Sequence, residues 1–160
     1  MTVSTGTVIP NISLFVAGAS GPQSVTTGDI FANKRVVLFG LPGAFTPTCS
    51  TRHLPGYLEK ISVFKDAGID LLVCMSMNDA FVMAAWARQQ NVKDQILMLA
   101  DGNGDFSSAL GLNRDMTERG MGERCQRFAL ISNDARVEDV FIESPGGFGI
   151  SSAENVLKKV

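Results

Sequence analysis

Three short, largely apolar runs do most to limit what this chain can fold into. They are "RVVLFG" at Arg35–Gly40, "IDLLVCMS" at Ile69–Ser76 and "QILMLA" at Gln95–Ala100. A strand with one wet face alternates apolar and polar residues; these runs do not, which is the pattern of strands covered on both faces. Segments of helical spacing lie between them. "YLEKISVFKDAG" sets Leu58, Ile61 and Phe64 on one side, with Gly68 placed to end the helix. "NDAFVMAAWARQQN" carries Phe81, Ala84, Ala85 and Arg88 at helical spacing, with Asn78 as the expected N-cap. Strand, helix, strand, helix, strand is an α/β arrangement.

The flanking segments complete the sheet. "ISLFVAG" (Ile12–Gly18) and "GPQSVTTGDIF" read as an opening strand or hairpin around a Gly/Pro turn. "DGNGDF" is a turn leading to a short helix near "SSALGL", and "RFALI" with "RVEDVFIE" form a hairpin across "SNDA". Ser151 and Glu154 make a capping-box pattern for a last helix, "SAENVLKKV". With no internal repeat, low-complexity tract or linker, residues 1–160 are expected to form one domain. The expected architecture is a central mixed β-sheet flanked by helices, with an N-terminal β-hairpin extension. The element order matches a thioredoxin-like sandwich, although periodicity does not fix that topology.

Composition narrows the function. The 160 residues are 45% hydrophobic and 19% charged, with a net charge of −2 and a pI near 5.3. No basic run is present, so nucleic acid is not expected as a partner. No apolar stretch approaches the roughly 20 residues that cross a bilayer, so no membrane association is expected. The N-terminus "MTVSTGTVIPNISLF" lacks a secretory n-region and the arginines of a transit peptide. A cytoplasmic location is expected, with an organellar mature form left open. Three cysteines, an odd and sparse count, suit free thiols in a reducing compartment. One histidine and no CxxC leave no expected metal site.

The stretch "PGAFTPTCS" (Pro42–Ser50) puts Cys49 in a stiff, polar turn between a buried strand and a helix. A structural cysteine is a small hydrophobe that packs well inside an apolar run. A reactive one must be a thiolate, which helix N-termini and arginines favour. Pro42 and Pro47 stiffen the turn and present no N–H donors of their own. Thr46, three residues before Cys49, offers a hydroxyl to the sulfur or to an oxygen bound beside it. The plainer alternative is a small buried hydrophobe in an awkward loop.

The segment "FGLPGAFTPTCSTRHLPGY" closely resembles the active-site segment of peroxiredoxins, in particular the peroxiredoxin-5-like or plant type II subfamily. The family pattern of proline, three residues, threonine, two residues, cysteine falls on Pro42, Thr46 and Cys49, and the subfamily's signature continues through His53–Gly56. Further similarity appears in "CMSMNDAFVMAAWA", "LMLADGNGDF" and "RFALI", so the resemblance spans nearly the whole chain. It implies a cofactor-free thiol peroxidase on a thioredoxin-like fold, acting on hydrogen peroxide and organic hydroperoxides. Cys49 would be the peroxidatic cysteine, oxidised to a sulfenic acid. Thr46 would position the peroxide, and Arg127, before "FALI", would be the required arginine, its fork holding thiolate and peroxide oxygens together. Arg124 is the alternative arginine. A noncovalent homodimer, and glutathione with glutaredoxin or thioredoxin as reductant, are implied in the same way.

The remaining candidates carry plainer readings. His53 lies near one helical turn from Cys49, which suggests a Cys–His protease pair, but the geometry is poor for a base. A structural hydrogen bond at the rim of the site is expected instead. Trp86 is expected in the core, with a pocket-lining role as the alternative, and Cys125 is expected to be a bystander. Cys74 has a counterpart in plant type II members but lies inside an apolar strand. Animal members that form an internal disulfide place a resolving cysteine in a glycine-rich loop; the matching "SPGGFGISS" here has none. Rival readings are a thiol–disulfide oxidoreductase, for which Ser50 and Arg52 stand where a second cysteine would be needed, and a redox-sensing or chaperone-like module using Cys49 as a switch.

Overall fold

The computed structural model describes residues 1–18 and 20–160. The chain opens with a hairpin, β1 (Ser13–Gly18) against β2 (Gly21–Thr26), in register from Ser13↔Thr26 to Gly18↔Gly21. The Thr26 hydroxyl accepts from the Asp29 N–H and starts α1 (Thr27–Phe31). β3 (Arg35–Gly40) leads through the cysteine turn into α2 (Leu54–Glu59) and α3 (Ile61–Asp66). β4 (Leu71–Ser76), α4 (Ala80–Gln89), β5 (Leu97–Ala100) and α5 (Asp105–Leu110) follow. A short ribbon, β6 (Asn113–Asp115) with β7 (Glu123–Cys125), precedes the hairpin β8 (Phe128–Asn133) and β9 (Arg136–Ile142), and α6 (Ala153–Leu157) ends the fold.

The large sheet has the order β2-β1-β5-β4-β3-β8-β9. The three apolar runs are its parallel centre, with β4 between β3 and β5. β1 joins β5 and β8 joins β3 antiparallel, so the sheet is mixed, as expected. Because side chains alternate across a strand, β3 feeds two cores. Val37 and Phe39 pack with Tyr57, Cys74 and Trp86 on one side. Val36 and Leu38 pack with Val73, Met75 and Phe106 on the other. Burying each such large side chain is worth about 1.5–3 kcal/mol, which explains why the middles of these runs, Val36–Phe39, Leu71–Met75 and Ile96–Leu99, carry no polar residue. Gly40 ends β3 because a Cβ there would overlap the Phe128 ring on β8. Among the described residues no helix is long and apolar enough to cross a membrane.

Several local expectations are corrected. Asp79, not Asn78, caps α4 by accepting from the Val82 N–H; the Asn78 amide oxygen instead accepts from Ala44 N–H. α4 buries Ala80, Met83 and Trp86, whereas Phe81 stands 70% exposed. The capping residue of α6 is Ser152, which accepts from Asn155 N–H; Ser151 is spent elsewhere. The helix expected over Tyr57–Gly68 breaks at Lys60 (φ −110°, ψ 9°), and Gly68 follows its second half at φ +93°. The β6–β7 ribbon was not expected.

Candidate active site

β3 delivers the chain to the middle of the sheet, and the turn that follows is held at several points. Ala44 N–H donates to the Asn78 Oδ1 at 2.9 Å, tying the turn to the start of α4. The Thr46 hydroxyl donates to Gly43 O at 2.7 Å, so its proton is committed while its lone pairs stay available. Arg124 Nη1 donates to Pro42 O at 3.3 Å, which puts Arg124 on the turn's backbone rather than on the sulfur. Phe45 adopts φ +65° and is 49% exposed, an uncommon conformation for an aromatic residue. Pro42 is buried and Pro47 exposed, so only Pro42 shields the interior.

Cys49 opens a π-helical turn, Cys49–His53, in which Leu54 N–H donates to Cys49 O. Such wide turns have no sequence signature and recur at functional sites. The turn is anchored on the core by Trp86 Nε1–H, which donates to Ser50 Oγ at 3.0 Å. The Cys49 thiol is fully buried, although the turn that carries it is polar. Arg127, just before β8 and 9% exposed, donates from Nη2 to Cys49 Sγ at 3.3 Å.

Arg127 is itself fixed by a buried chain of hydrogen bonds. Its Nη1 donates to His53 Nδ1 at 2.9 Å. Since a guanidinium only donates, Nδ1 must accept, and the ring proton lies on Nε2. Nε2–H then donates to Ser151 O at 3.2 Å, as does the Tyr57 hydroxyl at 2.7 Å. Burial, and then the Arg127 charge, lower the His53 pKa from 6.5 to about 3, so the ring is neutral. His53 is therefore not at the rim, and the sulfur's hydrogen-bond partner is Arg127 rather than the imidazole. A protease-like pair is not formed.

The chain ends on Glu143. Its Oε2 accepts from Gly149 N–H (2.7 Å), Ser151 N–H (2.9 Å) and Ser151 Oγ–H (2.7 Å), while its own N–H donates to Arg127 O at 3.0 Å. Burial pushes this carboxyl up, but the hydrogen bonds from Ser151, Gly149 and Ile150 outweigh it and hold it below the usual range. The same segment, 144–152, carries Phe148 over the site: its ring lies edge-on to His53, 5.4 Å between centroids, with the Arg52 guanidinium 4.5 Å from it. Glu143 and Phe148 were missed by sequence reasoning; an acidic residue directly after the apolar stretch Val140–Ile142 that ends β9 was the one available hint.

A cavity of about 250 Å³ opens over this arrangement, walled by Pro42, Thr46 and Arg127 on the inner side and by residues of the β6–β7 ribbon on the outer. Cys74 faces the same core as Cys49, and burial, with the neighbouring sulfurs, pushes its thiol well above the ordinary range. Cys125 lies in the other core, raised to about 12 by burial, and donates to Gln126 O. Both are protonated thiols at neutral pH. Trp86 is core, reaching the turn only through its N–H.

Residues 4–157 match the Redoxin family model. Among curated proteins the chain is 40% identical to Peroxiredoxin-2B of Arabidopsis thaliana over 157 residues, 98% of this chain and 97% of that protein. It is 39% identical to the chloroplastic Peroxiredoxin-2E of the same plant, covering 98% of this chain and 68% of that one. Among solved structures, reduced Prx3 of Vibrio vulnificus in complex with hydrogen peroxide superposes with a TM-score of 0.94 at 43% identity, with 99% of each chain covered.

Proposed function

Because the chain belongs to the peroxiredoxin family and is a cysteine-dependent peroxidase, we propose that Cys49 is its peroxidatic residue, with Thr46, Arg127 and Pro42 completing the site. The observation that carries this reading is the Arg127 hydrogen bond to the Cys49 sulfur beneath a cavity that also exposes Thr46. In the reaction, the Cys49 thiolate attacks the distal oxygen of a hydroperoxide and the O–O bond breaks. Cysteine is oxidised to the sulfenic acid, and the leaving alkoxide or hydroxide takes a proton to give alcohol or water. The Arg127 fork compensates the charge passing from sulfur to oxygen. Thr46, its own proton committed to Gly43 O, accepts a hydrogen bond from the peroxide O–H and sets its direction. Pro42 keeps water and competing donors away from the sulfur.

Reduction is completed by an external thiol: glutathione with glutaredoxin, or thioredoxin. One thiol condenses with the sulfenic acid, releasing water and leaving a mixed disulfide; a second displaces it and restores Cys49. Both other thiols are buried and protonated, which makes them poor attackers. Since Cys49 is also buried, the π turn must open locally for the larger thiol to reach sulfur. The protein acts as one domain over residues 1–160, in the cytoplasm, and pairs as a noncovalent homodimer. The exposed Phe15 and Phe81, which share one groove, and the exposed Phe45, on the turn held by Asn78, support such pairing.

Replacing the nucleophile tests the reading. Cys49→Ser should lose peroxide consumption entirely while keeping the wild-type circular dichroism, because a serine hydroxyl is not ionised at neutral pH. A Ser variant that retains a substantial share of turnover removes Cys49 from the role.

A further inference from the structure

The cavity over the site holds a charge imbalance that peroxide reduction does not use. Its lining includes Arg114, Arg119 and Arg127, and among the described residues no carboxylate. This occurs in a chain whose net charge is −2. Arg127 is committed to Cys49 and His53. Arg114 and Arg119 have no ion pair; among the described residues the only one joins Arg35 to Glu138, on β3 and β9.

The ribbon sorts its charges by face. Arg114 on β6 stands directly opposite Arg124 on β7, and such a like-charge pair is unfavourable on its own. Arg124 is turned onto the Pro42 carbonyl and Arg114 onto the cavity, so both point toward the cysteine turn. The acids of the ribbon, Asp115 and Glu123, occupy the alternate positions and so the other face. They are engaged there, Asp115 by Thr117 N–H and Glu123 by the Asn113 side-chain amide. Met116 and Met121 give the cavity an apolar wall between the inner and outer arginines.

We propose that Arg114 and Arg119 form a carboxylate-binding mouth that selects carboxylate-bearing small molecules and presents their far, reactive end to Cys49. The proposal rests on Cys49 being the peroxidatic residue. Two sources share the chemistry: a fatty-acid hydroperoxide, with its O–O group on the alkyl chain and a free carboxylate at the end, or glutathione, whose thiol lies between two carboxylates. For the first, the distal O–O oxygen goes to Cys49 and the hydroxy acid leaves. For the second, the glutathione sulfur condenses with the sulfenic acid and water leaves. An arginine fork suits either, since it binds carboxylates bidentately.

The test compares acid with ester. On the peroxide side, stopped-flow oxidation of reduced protein is followed through Trp86 with linoleic acid hydroperoxide and its methyl ester. On the thiol side, reduction of the sulfenic form is followed with glutathione and its diethyl ester. In at least one arm the acid should react about tenfold faster than the ester, roughly the effect of one well-made charge pair. That preference should fall toward one in the Arg114→Gln/Arg119→Gln double variant and as salt rises. Reading a ratio removes any general loss of rate in the variant. A preference in the peroxide arm alone identifies the hydroperoxide as the ligand, and one in the thiol arm alone identifies glutathione. Equal rates for acid and ester in both arms, or a preference that survives the double substitution, overturn the proposal. Hydrogen peroxide, which has no carboxylate, separates the two readings: if it still oxidises Cys49, the peroxidase assignment stands whatever the ratios show.

Discussion

Cys49 has one charged neighbour, and the other two thiols are buried and silent. All three thiols are buried, so what sets Cys49 apart from Cys74 and Cys125 is the Arg127 contact at 3.3 Å, not its sequence spacing. The residues of the cysteine turn were legible because the two prolines, Thr46 and Cys49 sit within a few positions of each other. Arg127 was legible only through family resemblance, since an arginine at a strand entrance is ordinarily a solvated charge. His53 was visible but misplaced: spacing gave it the right face of the helix, while its depth depends on Ser151 and Phe148, nearly a hundred residues away. At this scale the account predicts how the oxidised sulfur is resolved. One equivalent of peroxide, without reductant, should leave sulfenic or over-oxidised Cys49 by mass spectrometry, then a glutathione adduct once glutathione is added. A stoichiometric Cys49–Cys74 disulfide, with turnover lost in Cys74→Ser, would contradict it.

Among the elements, the central strands were read almost residue for residue, because continuous apolar runs have few alternatives. The helix starts were not. Asn78 and Asp79 are both competent caps, and Asn78 is drawn away by the Ala44 N–H, a contact that local pattern cannot anticipate. Ser151 and Ser152 pose the same choice, decided by Glu143. The π turn at Cys49 and the three-residue strands of the ribbon leave no periodic trace at all. The segment 144–152 is held largely by Glu143, whose hydrogen bonds are charge-assisted and worth roughly 1.5–3 kcal/mol each before the donors' other options are counted. Glu143→Gln should loosen that segment without unfolding the sheet, raising amide exchange at Gly149 and Ser151 by about tenfold or more. Unchanged protection at both amides would show that the carboxylate does not hold the segment.

For the whole molecule, the neutral His53 ties stability to pH. Its pKa is depressed from 6.5 to about 3, so below pH 6.5 the unfolded chain binds a proton that the folded chain refuses. Stability is then full above 6.5 and falls with acid until about pH 3, at close to 1.4 kcal/mol per pH unit in the steep part. Since this is the only histidine, urea unfolding should report a loss of about 2 kcal/mol between pH 7 and pH 5, absent in His53→Gln. A flat profile in the wild type would mean that the ring is protonated in the fold. The central claim, that Arg127 activates peroxide at Cys49 beyond merely favouring a charged sulfur, has its most direct test in two rates measured on one variant. Arg127→Ala is compared with wild type for oxidation of Cys49 by hydrogen peroxide and for its alkylation by iodoacetamide, a neutral reagent. The account predicts that oxidation slows by about a hundredfold more than alkylation, because only oxidation needs the fork in its transition state. Equal losses in the two rates, or a larger loss of oxidation in Arg124→Ala, would contradict it.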